Sequence, residues 1–197
     1  PRRLAGACLA AGVRRVVHLS SAGVYGATKH AGVVDESAAH TPRNAYERSK
    51  HEGEIAVVKQ CAALGLSLIV LQPTNVIGEG RDGHYPLLAL IKAVARGWFR
   101  YIGRGDAWVN YVAVDDVAAA IVVAATSPAV TGTYILNTPA PLRQLVAWIA
   151  QALEIKPPER SVPAWAGQAA AVASVSAQRL LGRDLLVNPE RVLELTN

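Results

Sequence analysis

Tyr46 and Lys50 stand four residues apart in the run YERSK. On a helix that spacing puts both side chains on one face. An ammonium beside a phenol favours the phenolate and draws its pKa toward working pH. A tyrosine so placed can pass a proton to or from a carbinol or carbonyl oxygen. Ser20 and Ser21 form the second candidate, at the end of residues 13–20, VRRVVHLS. That run reads as a buried strand, and a hydroxyl at its carboxyl end can donate to a substrate oxygen as charge develops. No Gly-x-Ser-x-Gly elbow surrounds the pair, which argues against a nucleophilic hydrolase. Tyr25 and Lys29 repeat the four-residue spacing, but Gly23, Gly26 and Thr28 make that stretch a poor helix. Tyr46 is therefore preferred.

Three other patterns have plainer readings. Gly78, Gly80 and Gly83 match Gly-x-Gly-x-x-Gly, a dinucleotide fingerprint. Residues 72–77, Pro73 among them, separate it from the preceding strand, so a lid loop is expected instead. His18 lies inside a strand and reads as core, while His30, His40, His51 and His84 show no metal-ligand spacing. Cys8 and Cys61 sit among Ala and Leu and read as buried small hydrophobes.

The elements that must hold the candidates follow from periodicity and punctuation. A short helix over residues 3–11 stops at Gly12. Asn44 reads as an N-cap with Glu47 as its capping-box partner, opening a helix over residues 45–64 that Gly65 ends. Residues 66–71 are a second buried strand, followed by a loop over residues 72–85 and a helix over residues 86–96. Residues 98–102 are predicted as a strand and residues 108–114 as extended. Asp115 or Asp116 is expected to cap a helix reaching residue 125. A strand over residues 132–136, a helix over 142–153 and helices over 164–181 and 189–195 complete the chain. Strands alternate with helices, so the expected class is parallel α/β, with ligands beyond the carboxyl ends of the strands.

The chain has 197 residues, 51% of them hydrophobic and 18% charged, which excludes a disordered protein. Two cysteines exclude a disulfide scaffold, and no apolar run is long enough to span a bilayer. The net charge of +5 comes without a basic run interleaved with aromatics, so no nucleic-acid partner is expected. A cytoplasmic protein is the default. The sequence begins with Pro and contains no Met, as a piece of something longer would.

Taken in order, GVRRVVHLSSAGVYG, YERSK, LSLIVLQPTNVIGEG and VNYVAVDDVAAAIVVAA resemble the extended short-chain dehydrogenases/reductases, the NAD-dependent epimerase/dehydratase family. The resemblance implies a Rossmann-like doubly wound parallel sheet with a small mixed substrate lobe. Residues 1–107 would be the second half of the dinucleotide-binding domain and 108–197 the substrate-side lobe. The family's glycine-rich loop belongs to a region before this chain's first residue. The resemblance makes Tyr46 the acid/base, Lys50 the residue that holds the nicotinamide ribose, and Ser21 the substrate-oxygen donor. It places Leu19, Ser20, Tyr46, Lys50, Pro73 and Val76 at the cofactor and Ser21, Ala22 and Asn75 at the substrate. It implies NAD or NADP, a small-molecule substrate and a homodimer through the Tyr46 helix and its neighbour.

Sugar-nucleotide members often carry Arg-Asp-aromatic-x-His before Val-Asp-Asp, and this chain has Val109 where the Arg would be. The tail from Pro163 and Trp165 to Arg183 is more like the sterol and hydroxysteroid branch. The expected function is therefore an NAD(P)-dependent oxidoreductase acting on a secondary alcohol or ketone, steroid-like or another small molecule. The alternatives are a nucleotide-sugar epimerase or dehydratase and a truncated, non-catalytic fragment.

Overall fold

The computed structural model describes residues 2–26, 32–79, 86–163 and 165. It divides into two compact units. The first comprises residues 1–78 and 111–138, the second residues 79–110 and 139–197. The expected helices over 164–181 and 189–195, Lys29, His30, His84 and the glycines at 80 and 83 lie outside the described residues.

The first unit is built on three parallel strands in the order β1 (Arg15–Leu19), β2 (Ser67–Pro73), β6 (Gly132–Leu136). Leu19 sits opposite Leu71, and Pro73 opposite Leu136. β2 is the central strand and its last five residues are buried, as a strand covered on both faces must be. Neighbouring positions leave the sheet on opposite sides. Val16 and Leu68 pack with Cys61 and Leu66 beneath α1 (Arg2–Ala10) and α2 (Ala45–Leu64). Val17, Ile69 and Leu71 pack with Ala120, Ile121 and Ala124 of α4 (Val114–Thr126) on the other side. The two thiols are free, and burial pushes that of Cys61 up, which makes it a packing residue.

Arg15 ties the two sides of this unit together. Its guanidinium donates to the carbonyls of Ala124 and Ser127, each at 2.7 Å, and to that of Val130. These are carbonyls at and beyond the last turn of α4, which no intrahelical donor can reach. Arg15→Met should therefore cost about 1.5–3 kcal/mol, the worth of hydrogen bonds from a charged donor. A urea unfolding series reads this directly. An unchanged midpoint would mean that water serves those carbonyls equally well.

Sequence expectation and structure differ in several places. Residues 98–102 form a strand only at β4 (Tyr101–Ile102), because the Trp98 and Phe99 N–H groups donate to the Ala93 carbonyl, at 2.9 and 3.1 Å, and not to a neighbouring strand. The partner of β4 is β8 (Ser161–Val162), in the same unit. Residues 72–77 do not make a plain loop. β2 continues through Pro73, and β3 (Asn75–Ile77) pairs with the Tyr111–Ala113 end of β5 (Trp108–Ala113). Neither Asp115 nor Asp116 caps α4. Both lie in its first turn, after an Ala113 N-cap with no side-chain bond, where carboxylates still favour the helix dipole. In the second unit α3 (Pro86–Ala95) packs against α5 (Leu142–Ala152). Buried Tyr101 lies under the Arg143 guanidinium, 4.3 Å from its ring centre.

Candidate active site

α2 carries two of the candidates, and its first turn is tightly specified. The Asn44 side chain accepts from the Glu47 N–H at 2.9 Å, as its N-cap role requires. Glu47 folds back onto the Arg43 N–H at 2.6 Å and the Arg43 guanidinium at 3.3 Å. Burial opposes ionisation of Glu47, yet those hydrogen bonds hold its carboxyl below the ordinary carboxylate value. A lowered folded-state pKa gives stability above about pH 4.3, lost as pH falls through the lowered value. Glu47→Ala should cost about 2 kcal/mol at neutral pH, the order expected for a buried, charge-assisted network. The deficit should shrink below pH 4.3, followed by urea midpoints of wild type and variant. A deficit independent of pH would assign the loss to packing alone.

From this fixed start the helix presents Tyr46 and Lys50 on one face, one turn apart. Tyr46 is 60% exposed, so a substrate oxygen can reach its phenol. The Lys50 ammonium donates to the Leu19 carbonyl at 3.4 Å, over the carboxyl end of β1. That contact draws the α2 pair toward the serines, which begin at the next residue.

Ser20 is 3% exposed, and its Oγ has no hydrogen-bond partner among the described residues. Ser21 caps the short 3-10 helix Ala22–Tyr25, accepting the Gly23 N–H on its Oγ at 3.1 Å. Accepting there leaves the Ser21 hydroxyl proton available to a substrate oxygen.

Pro73 is buried at the end of β2, and Val76 and Leu19 are each partly exposed. Asn75 is exposed on β3. These groups suit a nicotinamide ring and its amide. Apolar side chains end two parallel strands beside a buried hydroxyl that lacks a partner. Ser20, Lys50, Pro73 and Val76 would hold the cofactor, which would bring reversible hydride transfer.

Tyr25, the competing tyrosine, is 4% exposed and donates its hydroxyl to Gln72 Oε1 at 2.7 Å. Burial and the nearby Glu54 charge push its phenol up, so it stays protonated and committed. His18 is buried at Nε2, and burial also lowers its pKa; Glu54 opposes this and Lys50 adds to it. Gly78 has a packing reason for being glycine. A Cβ there would fall 2.3 Å from Val114 Cγ1. Among the described residues, no group of three or more His, Cys, Asp or Glu could hold a metal ion.

The sequence reading missed the polar groups beneath the site. Gln72 is wholly buried, and its Nε2 donates to both carboxylate oxygens of buried Glu54 at 3.1 Å. Two signals were available. Glu54 repeats the four-residue step from Tyr46 through Lys50, and Gln72 is a polar residue ending the apolar run LIVL.

The family model for the NAD dependent epimerase/dehydratase family matches residues 1–137. The chain belongs to that family. A relative from Escherichia coli O157:H7, described as N-acetyl-alpha-D-glucosaminyl-diphospho-ditrans,octacis-undecaprenol 4-epimerase, is 28% identical over 92% of this chain. A 3beta-hydroxysteroid-dehydrogenase/decarboxylase isoform from Arabidopsis thaliana is 26% identical over 89% of it. The chain spans 55% and 43% of the lengths of these relatives. Among solved structures, MoeE5 in complex with UDP-glucose and NAD is similar, with a TM-score of 0.63 and 27% identity. That match covers 83% of this chain and 56% of MoeE5. The Rossmann-like α/β class and the nicotinamide dinucleotide cofactor of the family follow. The steroid-like expectation does not gain the same support, since the family model and the MoeE5 match favour epimerases and dehydratases. Among the described residues, no helix is long and apolar enough to cross a membrane.

Proposed function

We propose that the whole protein is an NAD-dependent epimerase or dehydratase acting on a diphosphate-activated sugar. The family match over residues 1–137 carries the reading, and the sugar-processing relative and MoeE5 support it. Tyr46 takes the hydroxyl proton of the sugar carbon being oxidised and returns it when that carbon is reduced. Lys50 holds the ribose side of the cofactor, one turn beyond Tyr46 on the same face of α2. Ser21 donates to the same sugar oxygen and stabilises the charge that develops on it. Ala22 and Asn75 contact the substrate, and Leu19, Ser20, Pro73 and Val76 line the nicotinamide.

The whole protein acts as a homodimer in this reading. Exposed Ile55 and Val58 on α2, with exposed Leu9 on the neighbouring α1, support a helical interface. Free Cys8 and Cys61 suit a cytoplasmic protein.

The test incubates the whole protein and NAD with UDP-N-acetylglucosamine, and separately with a 3β-hydroxysteroid. An isomer, or a product short of one water, without net NADH supports the proposal. NADH formed in step with oxidised steroid, and no change in the sugar, overturns it.

A further inference from the structure

Three buried polar side chains of the first unit form one relay. Tyr25 donates to Gln72 Oε1, and Gln72 Nε2 donates to both oxygens of Glu54. The Tyr25, Gln72 and Glu54 residues are 4%, 0% and 7% exposed. Each lies on an element that carries a reactive group or ends beside one. Tyr25 closes the 3-10 helix that Ser21 caps. Glu54 is one turn beyond Lys50 and two beyond Tyr46 on α2. Gln72 precedes Pro73 at the end of β2.

Stability does not explain this choice of residues. A buried carboxylate and two buried dipoles are costly to desolvate, and apolar side chains of similar volume would join the same elements at least as well. What hydrogen bonds add is direction and distance. The relay has one polarity throughout. The carboxylate only accepts, so it fixes the Gln72 amide, and the amide carbonyl then fixes the Tyr25 hydroxyl. His40 closes the far side, with its Nε2 4.0 Å from Glu54 and its ring edge-on to Tyr25.

We infer that Glu54 is a positioning residue, acting through Gln72 and Tyr25 to set where Ser21 stands relative to Tyr46 and Lys50. The kinetic part of its test rests on the function proposed above; the exchange part does not. Misplacing a donor to the reacting oxygen affects the transition state more than ground-state binding.

The experiment compares Tyr25→Phe, Glu54→Gln, Ser21→Ala and the Tyr25→Phe/Ser21→Ala pair in the whole protein. UDP-N-acetylglucosamine and NAD are the probes. Tyr25→Phe and Glu54→Gln should each lower kcat by about 10- to 100-fold, with KM for sugar and cofactor unchanged. In the Ser21→Ala background Tyr25→Phe should have no further effect. Losses that multiply would mark a merely structural role and overturn the inference.

Hydrogen exchange without substrate gives the second readout. Amides of residues 20–26 should exchange about tenfold faster in Tyr25→Phe and Glu54→Gln, the worth of one buried hydrogen bond, while α4 is unaffected. Unchanged exchange at residues 20–26, or acceleration shared equally by α4, would overturn it. If no sugar turns over, the proposed function fails, and exchange alone still decides the positioning role.

Discussion

Tyr46→Phe in the whole protein should lower kcat by about 10²- to 10⁴-fold, the usual worth of a general acid/base. The substitution removes one oxygen from a ring that is 60% exposed, so it should leave the urea midpoint where it was. Cofactor affinity should also hold, because Lys50 still reaches the Leu19 carbonyl and the Tyr46 ring, Pro73 and Val76 are kept. The expected pattern is a loss in kcat with unchanged tryptophan quenching by NADH. Tyr25→Phe is the informative contrast. There the lost hydroxyl leaves buried Gln72 Oε1 without its donor, so stability falls as well. Turnover kept within a factor of about ten in Tyr46→Phe would remove the phenol from the proton path.

Gly26→Ala should be the most damaging small substitution for folding, with an expected loss of about 3 kcal/mol or more. Gly26 has φ 67° and ψ −160°, a region that only glycine occupies readily. A Cβ there would lie 2.1 Å from the Thr41 carbonyl oxygen. Thr41 cannot simply retreat. Its N–H donates to Val24 O at 3.0 Å, and its hydroxyl to Tyr25 O at 2.6 Å. Relief of the clash must break this zipper, which holds the Ser21 turn to the segment entering α2. Urea unfolding measures the loss, and hydrogen exchange should locate it at residues 22–26. A change within about 0.5 kcal/mol would show that the turn re-forms another way.

The candidate residues differ in how they could be known. Tyr46 and Lys50 were legible because a capped helix converts a four-residue spacing into one face, and Asn44 and Glu47 announced that helix. Ser20 and Ser21 were legible because an apolar run ending in hydroxyls predicts a strand end. Rejecting Tyr25 rested on glycines that break a helix, and burial with a committed hydroxyl supplies a second, independent reason. The pairings of β4 with β8 and of β3 with β5 were not legible. Each joins stretches of two or three residues that are distant in sequence, too short for any periodicity to show.

The sequence alone determined the parallel α/β order, the helix that carries Tyr46 and Lys50, and the strand that leads into Ser20. All three depend on local propensity, capping and the period of apolar residues, which neighbours along the chain decide. Only the tertiary structure decided that Arg15 closes α4, that Gly26 must admit Thr41, and that Gln72 joins Glu54 to Tyr25. Those facts concern groups 15 to 115 residues apart, counted along the chain from Gly26 to Thr41 and from Arg15 to Val130. A polar group's partner across such a distance is chosen by packing, because burial makes every unpaired donor or acceptor costly and the folded core offers few places to satisfy it.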